Sequence, residues 1–112
     1  MSDFESFLQS LKKAIAGVVG SEWKDHAKAV SSVYESFVEK SKSDLKRWLE
    51  LRAQGLITQN ELKSLLNGKK DLFELELERR KEALKIGLNK LWTRLIDVLT
   101  GEIEKAIRGG KG

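Results

Sequence analysis

"RAQGLITQNELKSLL", residues 52–66, holds the complete chemistry of a joint between two helices. Gly55 stands where the first helix must stop, in the left-handed conformation that glycine adopts without strain. Thr58 and Glu61 have the spacing of a capping box, in which hydroxyl and carboxylate each accept a backbone N–H. Ile57 before the cap and Leu62 four positions into the helix are spaced as a hydrophobic staple. Leu62, Leu65 and Leu66 give the second helix an apolar face, and Asn67–Gly68 ends it. Every device here is structural. None supplies a nucleophile, a base or a cluster of ligands.

Working outward, Ser2 and Glu5 make another capping box, and Asp3 adds favourable charge at a helix start. Phe4, Phe7, Leu8, Leu11, Ile15 and Val18 then keep helical spacing, which predicts a helix over about 3–18 with Gly17 and Gly20 as stops. Ser21 is placed to cap a second helix, about 22–54, whose stripe runs through Trp23, Val30, Val33, Tyr34, Phe37, Leu45, Trp48 and Leu49. Its centre, "EKSKSD" at 39–44, is polar, so the helix either runs through with a weak spot or breaks near Ser41–Ser43 and restarts; with no Gly or Pro to stop it, continuity is expected. After the joint come a short helix, 59–67, and a long one, 69–108, with residues 109–112 as a flexible tail. Within the long helix, Glu76 and Arg80 are spaced as an i, i+4 pair on a solvated face.

These elements predict one all-α domain over 1–108, an elongated antiparallel helical hairpin or bundle. It would have two long helices, one short N-terminal helix and one short connecting helix. A 40-residue helix is about 60 Å long, far beyond the radius of gyration near 13 Å of a compact chain of this length. The last helix also carries a stripe too broad for one antiparallel partner: Leu84, Leu88, Leu91, Trp92, Leu95, Val98, Leu99 and Ile103. A second protomer, making a dimer, or a helical partner protein is expected to cover it. The alternative is that the helix bends near Gly87 and the chain closes its own core. Gly87 and Gly101 each read either as a hinge or as a point where a neighbouring helix comes close or the helix simply tolerates glycine.

Leu45, Leu49, Gly55, Ile57, Thr58, Glu61, Leu62, Leu65 and Leu66 together resemble the SHOCT-type short helical hairpin. The likeness covers about residues 45–66. The chain departs from that family's pattern in having Leu62 where an aromatic is usual, and in placing the hairpin internally. The resemblance implies an oligomerisation or interaction module, with no catalytic residues to carry over.

Composition narrows the function further. There are no cysteines, which removes disulfides and thiolate chemistry and is compatible with a reducing, cytoplasmic setting. The acidic start "MSDFESFLQS" is unlike a secretory signal, and no apolar run approaches the roughly 18 residues of a membrane span. His26, the single histidine, has Asp25 and Glu22 nearby, but one His and two exposed acids fall short of a metal site and read as a surface or core-edge histidine. No phosphate-binding glycine loop is present, so no cofactor is expected. Trp23, Trp48 and Trp92 lie on or beside apolar stripes and read as core or interface anchors.

The net charge of +4 is concentrated late: residues 83–112 carry 6 basic and 3 acidic side chains. Lys90, Arg94, Lys105 and Arg108 share one side of the last helix, bordered by Asp97 and Glu104. They form either a solvated face or an anion-facing stripe. The leading expectation is thus a non-enzymatic oligomerisation or protein-interaction module using a broad apolar helical face. The alternative is a peripheral binder of anionic surfaces. It would use a membrane contact through the N-terminal amphipathic helix, or nucleic acid on the basic C-terminal face.

Overall fold

A computed structural model describes residues 3–109, and all regular structure among them is helical. The first helix, α1 (Asp3–Glu22), is longer than its glycines suggested. Gly17, Gly20 and Ser21 stay helical, so Ser21 caps nothing; the expected Ser2 cap lies outside the described residues. Each interior glycine costs about 1 kcal/mol relative to alanine. The stripe nevertheless continues from Phe7, Leu11 and Ile15 to Val19 and Trp23, all buried. Burying two further large side chains is worth about 1.5–3 kcal/mol each, which outweighs the glycines.

The expected 22–54 helix is divided. A 3-10 turn (Lys24–His26) leads into α2 (Ala27–Lys40), and Ser41 separates this from α3 (Lys42–Ala53). Continuity past Ser41 is therefore corrected to a kink. The backbone bonds on either side survive: Ser41 N–H donates to Phe37 C=O and Leu45 N–H to Ser41 C=O, each at 2.9 Å. Ser41 is only 1% exposed, and serine is a residue at which helices bend. The bend turns α3, whose buried residues are Leu45, Trp48 and Leu49, toward α4 and α7.

The joint forms as its residues require. Gly55 has φ +74°. Leu56 N–H donates to Leu51 C=O at 2.9 Å and Gly55 N–H to Arg52 C=O at 3.1 Å, the two bonds of a Schellman motif. Glu61 N–H donates to Thr58 Oγ1 and Thr58 N–H to Glu61 Oε1, completing the capping box at the start of α4 (Gln59–Asn67). Ile57 packs against the core that contains Leu62.

The single 69–108 helix is also corrected, to three pieces: α5 (Lys70–Glu78), α6 (Lys81–Leu84) and α7 (Leu88–Gly109). Arg80 leaves helical geometry with φ −126° and ψ 85°, and Gly87 turns the chain again with φ +113°. The Glu76–Arg80 pair does not form. Glu76 is buried on α2 with Lys40 Nζ at 2.5 Å, and Arg80 reaches back to Ser32. With both long helices divided, the molecule measures 40 × 24 × 20 Å with a radius of gyration of 13.8 Å, not the length of a 60 Å hairpin.

α1 lies against both α2 and α7, α2 also packs on α5 and α6, and α4 sits on α7 and α3. At the centre Phe73 of α5 meets Tyr34, Phe37 and Trp92 at ring-centroid distances of 6.0, 5.7 and 5.2 Å. Two polar tethers fix α7 there. Tyr34 Oη donates to Leu91 C=O at 2.8 Å, and Trp92 Nε1 donates to Asn67 Oδ1 at 3.0 Å.

The two interior glycines of the last segment should respond oppositely to substitution. A Cβ at either meets nothing within 4 Å, so backbone conformation alone decides. Gly87→Val should lose about 1–3 kcal/mol through its positive φ, whereas helical Gly101→Ala should gain up to about 1 kcal/mol. Thr58→Ala should lose about 1 kcal/mol with the cap. Urea denaturation of the three variants measures all of these, and a stable Gly87→Val protein would refute the assignment of the turn.

Candidate functional site

The residues expected to form an interface between chains lie in the core of one chain. Leu91, Leu95, Leu99 and Ile103 are fully buried, Trp92 and Val98 nearly so, and Leu88 is half-buried against the same core. Only Leu84 stays exposed, on α6 rather than α7. The breadth of the stripe has a physical explanation: α7 meets α1, α3, α4 and α5 at once. The chain closes its own core by turning at Gly87. The Phe-rich stripe of α1 is likewise occupied, with Phe7, Leu11 and Ile15 buried. Trp23, Trp48 and Trp92 are at most 8% exposed, so none offers a free stacking face. Burial pushes the Tyr34 phenol above its usual range, and its hydroxyl donates to Leu91 C=O.

The basic side of α7 is on the surface. Lys90, Lys105 and Arg108 are exposed, and none has a carboxylate partner among the described residues. Arg94 differs, because its Nε donates to Glu22 at 2.8 Å across the α1–α7 contact. Glu104, expected to border the stripe, turns inward to Arg52 Nη2 at 2.8 Å. Asp97 remains as the exposed acid among these cations. Between α1 and α7, Trp23, Lys90, Thr93, Arg94 and Asp97 line an open cleft of about 510 Å³. A smaller one, about 220 Å³, lies beside Gly55 between Arg52 and Arg108. These two arginines occupy the last turns of α3 and α7, where a cation offsets the negative end of the helix dipole.

A third cleft, about 430 Å³, brings together residues that no local spacing connects. It lies between the start of α2 and the chain from Arg80 to Glu82, and its walls are tied twice. His26 Nδ1 lies 3.0 Å from Glu82 Oε2, and Arg80 Nε donates to Ser32 Oγ at 2.9 Å. Asp25, Lys28 and Ala29 complete the lining. Sequence reasoning considered His26 only with its neighbours Asp25 and Glu22. Its actual partner is 56 residues away, and only the turn at Arg79–Arg80 brings it there. No group of three or more His, Asp or Glu among the described residues is arranged to hold a metal ion. Among the described residues no helix is long and apolar enough to cross a membrane.

Two carboxylates lie below their ordinary value near 4.5: Glu76 through its hydrogen bond to Lys40, and Glu82 through its hydrogen bond to His26. A carboxyl depressed in the folded state adds stability above its unfolded pKa and loses it as pH falls through the folded one. Stability should therefore decline below about pH 4.5. Glu76→Gln should flatten that acid limb and cost about 1–3 kcal/mol at neutral pH, by loss of a charged hydrogen bond. Thermal melts from pH 7 to 3 read both effects, and an unchanged acid limb in the variant would contradict the assignment. Comparison of the chain with models of known families, with curated proteins and with solved structures finds no match.

Proposed function

We propose that the chain is a non-enzymatic interaction module that engages an acidic partner through the outer face of α7. One observation carries this reading. The large apolar side chains of α1, α2 and α7 are turned into a single core, while Lys90, Lys105 and Arg108 stand on the surface without carboxylate partners. What α7 offers a partner is charge. Association through Leu88–Ile103, with a second copy or a partner helix, would require the core to open. Membrane insertion of α1 would require the same. With no tryptophan free to stack on bases, contact with nucleic acid would be limited to phosphates, which favours an acidic protein surface as the partner. The likeness of residues 45–66 to a SHOCT-type hairpin also supports an interaction role.

Light scattering at high micromolar concentration should give the mass of one chain, 12.7 kDa. A polyglutamate peptide should bind with an affinity that falls as salt rises, since exposed charges are screened. Lys90→Glu with Lys105→Glu should weaken that binding at least about tenfold and leave the melting curve unchanged. Leu95→Asp should unfold the single chain, because it buries an unpaired charge. A dimer that Leu95→Asp converts into folded monomers would restore the apolar interface. Tighter binding to duplex DNA or anionic vesicles than to the acidic peptide would replace the partner class named here.

A further inference from the structure

The cleft between the start of α2 and residues 80–82 carries charge that pairing within the chain does not account for. Arg80 donates its Nε to a neutral hydroxyl, Ser32, and its Nη1 makes only a long 3.5 Å contact with Arg79 C=O. Lys28, on the same lining, has no ion pair or hydrogen bond among the described residues. One acid on the lining, Glu82, is already held by His26. Two cations thus face the opening, with Asp25 as the one unengaged carboxylate on the lining.

We infer that this cleft binds a tetrahedral oxyanion between Arg80, Lys28 and Ser32, either free or as the phosphoryl end of a small phosphomonoester. The donors suit that chemistry. The Nη edge of a guanidinium is a planar fork that matches two oxyanion oxygens, and an ammonium adds a point charge. Ser32 Oγ accepts from Arg80, so its own hydroxyl proton is free to donate to the ligand. The volume, about 430 Å³, leaves room for more of a molecule than the anion itself.

Chemical-shift titration of the full chain with sodium sulfate, against sodium chloride at equal ionic strength, tests this directly. Saturable shifts at Lys28, Ser32 and Arg80 are expected. Arg80→Gln and Lys28→Gln should each weaken binding about tenfold. Should Arg80→Gln disturb folding, exposed Lys28 still carries the test. A parallel titration with O-phosphoserine separates the sources: tighter binding than sulfate assigns a phosphomonoester, and equal or weaker binding a free anion. Unsaturable shifts spread equally over Lys90 and Lys105, or normal binding by folded Lys28→Gln, would overturn the inference. Neither result touches the α7 reading, which rests on different residues.

Discussion

Phe73 is the side chain on which the other helices are arranged. It comes from the nine-residue α5, yet its ring meets Tyr34 and Phe37 of α2 and Trp92 of α7. Phe37 and Trp92 also meet each other edge to face, with centroids 5.4 Å apart. Such ring pairs are directional, each worth about 0.5–1.5 kcal/mol beyond the area they bury. Three helices from distant parts of the chain are therefore locked in one mutual orientation. Aromatic packing alone would leave α7 free to slide, and its register is set by Tyr34 on the Leu91 carbonyl and by the Trp92 indole on Asn67.

That junction explains why the long helices cannot stay whole. To place Phe73 and Trp92 on the same rings, the chain between them must reverse, and it does so through Arg80 and Gly87. Ala83, fully buried, holds the short α6 between those turns against the core. The same reversal carries Arg80 and Glu82 over the start of α2, so the mixed-charge cleft is a by-product of core closure. Function, on this reading, occupies surfaces that folding left behind: the outer side of α7 and the gap beneath α6.

Charge is distributed in the same way. Of the two carboxylates that border the basic stripe in sequence, Glu104 is committed to Arg52, while Glu22 of α1 pairs with Arg94 of the stripe itself. Lys40–Glu76 and Lys69–Asp44 tie further segments together, and of these two acids only Glu76 is buried. Each pair is neutral, so the net charge rests on cations left unpaired, Lys90, Lys105 and Arg108 of α7 among them.

Local chemistry was legible in the residues themselves. The all-helical class, the Gly55 stop, the Thr58–Glu61 box and the inward direction of Leu62, Leu91, Leu95 and Leu99 follow from spacing and from φ preferences, which act within a few residues. The kink at Ser41 was marked only by the polar run at 39–44, because serine neither forbids nor demands a bend. Gly87 showed that a turn was possible, and only burial against α1, α3, α4 and α5 made it necessary. Whether a broad apolar stripe is covered by a second chain or by its own depends on where distant segments lie. The same holds for His26, whose partner is 56 residues away. Periodicity records which side of a helix avoids water; only the packed structure decides what covers it, since burial rewards apolar contact without regard to distance along the chain.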